Sequence, residues 1–587
     1  MSDMSESAIL IDYMLEKYPK VKLSYIEQNF YFHEEGLNIS TYEKLMRNNS
    51  DLIKKKYRFD TPDDLTSYNP ITLFLRSMDF LNRYNEGKID EIISILNLYV
   101  ELGDDANTRI KSSILQIISF EMTNLNKIDL RIFNWLYQNG FDIERKDGTH
   151  NETPLLELHR YNIEDYNPVA EDVYVSILDF FWEKKPFDLN IRSGVEDDLL
   201  LAYSKACLPK VVEWILKKGG NINTIGGFDN SPALHKAISN HSMISPRRRA
   251  QTVEVLLKYG ADIEQVCNAD HYTPLMSAVF YGAKECVKVL LQAGANVNAI
   301  SPTGAIASQL AVLSPRSYDA PGPNNYESIQ SNILKTLVEY GSELNFPGQM
   351  EGTIWTPLQG TILNNKKEIF ETLLQLGADI NFKDLKNGAT PLMIAVSYGE
   401  NYFITRLLAV NSNVELTNKF GQNVLFYCLH RENREEAISL YDSFKKNGLK
   451  EGKAAGNMNL LLQASSHLYN PFIEILSKDI DINSSDDHGY TPLIWAISSN
   501  VDCDIHERMA CINKIVFLGG SLESVDNYGR TPLIWAADLK YPEIIDNLIR
   551  LGASVELSIS IALQFNLNEE ILTTLKKYKP SNNILFS

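Results

Sequence analysis

One short phrase, repeated along the chain, limits what it can fold into more than any other feature. Gly-Ala-Asp-Ile-Glu occupies 260–264, Gly-Ala-Asn-Val-Asn 294–298 and Gly-Ala-Asp-Ile-Asn 377–381. Looser copies lie at 140–144, 220–223, 341–345, 520–523 and 552–556. A second phrase, Thr-Pro-Leu, follows eight to eleven residues later, beginning at Thr153, Thr273, Thr356, Thr390, Thr491 and Thr531, with Ser231-Pro232 as a variant. A chain that restates one local instruction grows by adding units. That accommodates 587 residues, where a single globular core stops growing near ~250–300.

Each residue of the two phrases has a physical task. Threonine caps a first helix, and proline sits at its first turn, where the missing N–H costs nothing. The leucine that follows is expected in the core. A small residue after it (Ala278, Ala395, Ala496 or Ala536) lets neighbouring helices approach. A second helix carries paired aliphatics, as at Val255-Leu256-Leu257 and Leu373-Leu374, and ends at a glycine able to take the left-handed conformation. The Asp/Asn-Ile-Asn stretch then leads through a hairpin-like loop to the next cap.

Phrase, order and period together resemble the ankyrin-repeat family, whose unit is a β-turn followed by two antiparallel helices about 33 residues long. The third place of the first phrase serves as a ruler: Asp142, Asp188, Asn221, Asp262, Asn296, Glu343, Asp379, Asn413, Asp481, Ser521 and Ser554. The steps are 46, 33, 41, 34, 47, 36, 34, 68, 40 and 33 residues. The step of 68 reads as two units with a boundary near Gly448. The resemblance implies an all-α ankyrin-repeat solenoid of helix-turn-helix units with β-hairpin-like loops. About 13 repeats would fill residues 70–556. Residues 1–69 read as a helical N-terminal cap or a small separate domain, and 557–587 as a polar C-terminal capping repeat.

Four long steps place their extra residues between the first and second helix: Asn162 to Asp172, His241 to Arg249, Ser314 to Gln330 and Asn500 to Met509. In this family that edge lies opposite the hairpin tips. Pro246-Arg247-Arg248-Arg249 stands out as a basic run in an acidic chain, expected either as a solvated loop or as a dock for an acidic group. Residues 314–325 are expected to be a mobile loop. Two stretches depart from the pattern, 297–313 and 414–470, and the weak caps there predict lower local stability.

Composition narrows the function. The net charge is −19 and the pI near 5.1, which disfavours nucleic-acid backbones and would steer basic proteins. No apolar run of about 18 residues occurs, so no membrane partner is expected. The opening residues lack a basic stretch followed by an apolar one, so no secretory signal is expected, although export by another route stays open. Cys207, Cys267, Cys286, Cys428, Cys503 and Cys511 show no CxxC pair and read as reduced thiols of a cytoplasmic protein. Phosphate-binding loops and the GxSxG elbow are absent. His33-Glu34-Glu35 and His506-Glu507-Arg508 lack the second histidine of a zinc motif. No catalytic, cofactor or metal site is read, and His235 reads as a structural histidine.

The resemblance implies binding through hairpin tips and the inner face of the first helices. The residue preceding the threonine is Tyr272, Trp355, Ala389, Tyr490 or Arg530, and the residue two places after the leucine is Ser277, Ile394, Trp495 or Trp535. Trp495 and Trp535, with Tyr490, Tyr528 and Arg530, are predicted to form an aromatic patch of the kind that dominates interfaces. Asp229, Asp270, Asp487 and Asp526 are expected to add an acidic ridge at the tips. The chain thus reads as a monomeric, non-catalytic scaffold for a basic protein. Bacterial immunity proteins that cover a toxin and host-targeted microbial effectors share this organisation. A remoter alternative is an activity within 1–69.

Overall fold

The computed structural model describes residues 57–58, 67–68, 87–101, 129–146, 153–157, 168–194, 197–227, 230–239, 244–267, 271–302, 304–313, 326–350, 353–450 and 452–579. Of the N-terminal segment 1–69, this leaves one short antiparallel ladder, Tyr57–Arg58 against Ser67–Tyr68. The rest of the helical cap or small domain expected at 1–69 and the loop expected at 314–325 lie outside the described residues. The chain divides into two compact units. One comprises 1–302 with 314–340, the other 303–313 with 341–587.

Both units are built from short helix pairs. In the first, Leu199–Lys205 is followed by Pro209–Lys217, Ala233–Ile238 by Pro246–Lys258, and Pro274–Phe280 by Lys284–Gln292. In the second, the pairs run from Pro357–Leu363 with Lys367–Gln375 to Pro532–Asp538 with Pro542–Arg550, closing on Val555–Gln564 and Glu569–Lys577. The expected double unit across the step of 68 is present. Val424–Cys428 with Arg434–Lys446 and Leu460–Ser466 with Asn470–Leu476 flank Gly448, which has φ 86°. First helices are buried almost all round, as at Pro532, Leu533, Ile534, Ala536 and Ala537. Second helices bury one stripe, such as Ile544, Ile545 and Leu548, and turn the rest to water.

The threonines cap as expected. Oγ1 of Thr273, Thr390, Thr491 and Thr531 accepts the N–H three residues on at 3.3–3.4 Å, and Thr356 forms a reciprocal capping box with Gln359. At the end of the second helices, Gly377 lies at φ 85°, where a side chain would strain the turn. The irregular phrase at 411–415 places Asn411 there instead, at φ 61°.

The first phrase proves to be a stacking device. Its third residue folds back on its own loop: the carboxylate of Asp379 accepts the N–H of Asn381 at 2.8 Å, and Asp142, Asp262, Asn413 and Asp481 do the same. Its fifth residue reaches the next unit. Asn381 Oδ1 accepts the N–H of Asn413 at 2.9 Å, Asn483 that of Ser521 at 2.7 Å, and Glu523 that of Ser554 at 2.7 Å. Glu144 to Asp188 and Glu264 to Asn296 repeat the rung in the first unit. A polar residue at the fourth place of the cap phrase adds a second tie. His235 Nε2 lies 3.0 Å from the Tyr272 carbonyl, Gln309 donates to Trp355 and Gln359 to Ala389. His235 is therefore structural.

The four inserts fall between the first and second helix as expected, and their later residues lengthen the second helix; two other expectations are corrected. Regular second helices such as Lys284–Gln292 have 9 residues, whereas Pro168–Lys184 has 17, Pro246–Lys258 has 13, Tyr326–Glu339 has 14 and Ile505–Phe517 has 13. Helix is the cheaper form for added chain because it satisfies its own backbone groups. The insert before Ile505 is pinned by the buried Arg508, which donates to the carbonyls of Ile497, Ser499 and Val501 at 2.7–3.1 Å. The basic run at 246–249 is no docking loop. It is the first turn of a helix, with Arg248 and Arg249 buried and only Arg247 exposed. Arg248 Nε lies 3.9 Å from Glu171, whose other oxygen accepts the Lys210 N–H. Burial pushes the Glu171 carboxyl up, and those neighbours oppose the shift. Finally, the stretch 414–470 is not weakly capped. Asn423 and Asn459 replace threonine and accept the N–H groups of Leu425 and Leu462 at 3.1 and 2.9 Å, and asparagine is as good a cap as threonine or better.

Candidate partner-binding surface

Two successive hairpin tips in the second unit are built alike. Asp486 Oδ1 accepts the N–H groups of His488 and Tyr490, each at 2.9 Å, and Asp526 Oδ1 accepts those of Tyr528 and Arg530 at 2.9 and 2.8 Å. Gly489 and Gly529, both at φ 76°, close the turns. The second carboxylate oxygen reaches down to the first helix. Asp486 Oδ2 accepts the Trp495 indole N–H at 3.0 Å and Asp526 Oδ2 that of Trp535 at 2.9 Å. Tip and helix are thus locked by one carboxylate, and each indole is held half-buried at a fixed angle.

The two tips converge on Tyr490. Its ring meets Trp495 edge-on at 5.6 Å and Trp535 edge-on at 5.3 Å. Tyr528, 51% exposed, lies 6.5 Å away and stacks at 22° on His488. Arg530 completes the group: its guanidinium lies 3.7 Å over the Trp535 ring and 5.2 Å from Tyr528. Its nitrogens donate to Asp526, Asp538 and the Tyr490 hydroxyl at 3.3–3.4 Å. Burial pushes the Tyr490 phenol up, so it stays a neutral donor and acceptor. Rigid aromatic side chains held by a backing network lose little entropy on contact, which suits them to recognition.

The other predicted residues fare differently. Trp355, expected on the surface, is 6% exposed. Gly360 leaves room for its ring, since a Cβ there would come within 2.1 Å of it, so Trp355 is a core residue. Ala389 and Ser277 are buried as well. Tyr272 is half-buried against Phe280 at 5.8 Å and belongs to the first unit, whereas the cluster at 486–538 belongs to the second. Asp487 is exposed at its tip and bonded to Asn457 Nδ2. Asp526 is not on the ridge: at 4% exposure its carboxylate is consumed by the tip and the indole. Asp229 and Asp270 lie outside the described residues. Sequence reasoning missed Asp486, His488 and Asp538. The signal was present as Asp-x-x-Gly-x-Thr-Pro-Leu at 486–493 and 526–533, with the aspartate at a fixed distance before the cap.

Among the described residues no group of three or more His, Cys, Asp or Glu side chains is placed to hold a metal ion, and no helix is long and apolar enough to cross a membrane. All six cysteines are free thiols. Burial pushes those of Cys207, Cys428 and Cys511 up to about 12, which leaves them unreactive.

The chain matches the family model of ankyrin repeats over residues 199–301, 326–418, 358–450 and 460–559, together more than half its length. An ankyrin repeat protein of Fowlpox virus, FPV031, is 28% identical over 257 residues, 43% of this chain and 64% of that one. The ankyrin repeat and KH domain-containing protein mask-1 of Caenorhabditis elegans is 32% identical over 279 residues, 45% of this chain and 10% of that one. The chain therefore spans less than two thirds of the length of these curated relatives. Among solved structures, the human ASB11 ankyrin repeat domain is similar at 20% identity and a TM-score of 0.33, covering 42% of this chain and 98% of that one. Repeated phrase, helix pairs, rungs and family match agree: this chain is a member of the ankyrin-repeat family, with an all-α ankyrin solenoid fold.

Proposed function

We propose that this chain is a non-catalytic, monomeric cytoplasmic scaffold that binds a basic protein through the inner face and tips of residues 486–538. Ankyrin-repeat domains are protein-interaction scaffolds, which sets the class of function. One observation carries the location: Tyr490, Trp495, Tyr528, Arg530 and Trp535 form a half-exposed cluster whose side chains are already fixed by Asp486 and Asp526. A partner that covers it has little ordering cost to meet. The basic character of the partner rests on the net charge of −19 and on exposed Asp487 beside the cluster, since complementary charge speeds encounter.

The test is capture from native lysate on the intact chain beside a Trp495→Ala/Trp535→Ala double variant, with mass-spectrometric readout and circular dichroism of both. The expected result is one basic protein retained by the parent and lost by a still-helical variant. Equal capture by the variant would move the binding surface elsewhere. The captured protein's identity, a toxin or a foreign host protein, separates an immunity role from an effector role.

A further inference from the structure

The two tips carry the same wall but not the same occupant. In both, a carboxylate holds an indole N–H: Asp486 with Trp495 and Asp526 with Trp535. At the second wall the residue before the threonine is Arg530, and its guanidinium lies flat over the Trp535 ring at 3.7 Å, paired with Asp526 at 3.3 Å. That is a complete cation site, with a π face on one side and a carboxylate at the edge. At the first wall the corresponding residue is Tyr490, which meets Trp495 edge-on and brings no charge. Among the described residues no Lys or Arg lies over Trp495, although Asp486 is more than nine-tenths buried beside it. Exposed Asp487 adds a further negative charge at the same tip.

We propose that the Asp486–Trp495 wall is a receptor for an arginine side chain of the partner, and that Arg530 on Trp535 is the same site filled from within the chain. This rests on the partner-binding reading of the patch and names the group recognised. The guanidinium would lie over the half-exposed Trp495 ring with its edge toward Asp486, as Arg530 lies over Trp535 with its edge toward Asp526. Arginine fits better than lysine because its planar fork stacks and donates in one plane.

The experiment uses the full chain and two short peptides, one containing arginine and one with neutral citrulline in its place. The readout is the indole N–H resonance of Trp495, one of six tryptophans, assigned with Trp495→Phe. The arginine peptide should shift that resonance and the citrulline peptide should not. Asp486→Asn should weaken binding about tenfold by removing the charge beside the ring. Its tip should still close, because Asn418 already serves at the corresponding tip, accepting the N–H groups of Phe420 and Gln422 at 2.8 and 2.9 Å. Since an amide NH2 in place of Oδ2 cannot accept the Trp495 indole N–H, the citrulline peptide on the parent chain is the arm that isolates charge. Tyr490→Arg should fill the site from within and abolish peptide binding, whereas Arg530→Gln should make Trp535 respond as well. An unmoved Trp495 resonance, an equal response to citrulline, or unchanged affinity in Asp486→Asn would overturn the proposal. If the double tryptophan variant still loses the natural partner in that case, the patch stands as an interface without a guanidinium receptor. If partner capture is also unaffected, the reading of the patch fails with it.

Discussion

The regular stretch 479–556 and the irregular stretch 414–470 share a backbone plan and differ in what they display. In the first, threonine caps the helices; in the second, Asn423 and Asn459 do so. The tips close in the same way: Asp486 and Asp526 pair with Tyr490 and Arg530 just as Asn418 pairs with Gln422, N–H to carbonyl at 2.9–3.2 Å. Tip-to-tip backbone bonds run through both without interruption, from Lys419 to Asn387, Ala455 to Phe420, Asp487 to Gly456 and Asn527 to His488. Four places after the cap, however, Trp495 and Trp535 give way to Tyr427 and Gln463. There the inner face becomes a polar chain in which Gln422 donates to Gln463, which lies 3.4 Å from His430. The stacking positions and the display positions are separate, so one can degenerate in sequence without loosening the other.

That comparison predicts equal packing in the two stretches. Phe472→Ala in the irregular stretch, at a side chain with no exposure, should cost about 3–5 kcal/mol, and Ile534→Ala in the regular one about 2–5 kcal/mol. Both are read from denaturation midpoints at constant slope. A cost below about 1 kcal/mol for Phe472→Ala would show that the irregular stretch is loosely packed after all.

A smaller effect tests the caps. Asn459→Ala and Thr491→Ala should each lose about 1 kcal/mol, with hydrogen exchange accelerating at Leu462 and Ile494 respectively. If only the threonine variant responds, the asparagine is not acting as a cap and the two stretches differ in kind.

The smallest effect concerns a surface tie found in the second unit at 371–406. Arg406 holds Glu371 at 2.6 and 2.7 Å, and that hydrogen bond, the largest influence on it, keeps the Glu371 carboxyl below the ordinary glutamate range. A depressed folded pKa means that the unfolded chain binds the proton first. The contribution is therefore complete above the unfolded value of about 4.3 and is lost as pH falls through the lower folded value. Glu371→Gln should flatten the acid side of the stability profile while leaving it unchanged near neutrality in sign and slope. The irregular stretch joins its second helices differently, through Tyr441 against Phe472 at 5.4 Å, and Tyr441→Phe should leave the acid side alone.

Legibility in the sequence followed the same division. The first phrase was readable because its third residue bonds within its own loop and its fifth to the next unit, and both need a side-chain acceptor at a fixed spacing. Threonine and proline were readable for the same local reason. Burial of the residue before the cap was not. Trp355 and Tyr490 occupy equivalent positions, but Gly360 opens a slot beneath Trp355, whereas Tyr490 lies between two tryptophans. Arg248 and Arg249 looked solvent-facing because a basic run normally is; the helix that the insert lengthens turns them inward instead, Arg248 toward Glu171.

The sequence by itself thus determined the unit, its caps, its turns and its repeat along the chain, since each depends on residues within a few positions of one another. Only the tertiary structure decided which of the displayed side chains meet. Tyr490 and Trp535 are 45 residues apart in sequence and 5.3 Å apart in space. Arg530 lies over Trp535 while Tyr490 meets Trp495 edge-on, an outcome set by the stacking of two units and by which side chain each places before its threonine.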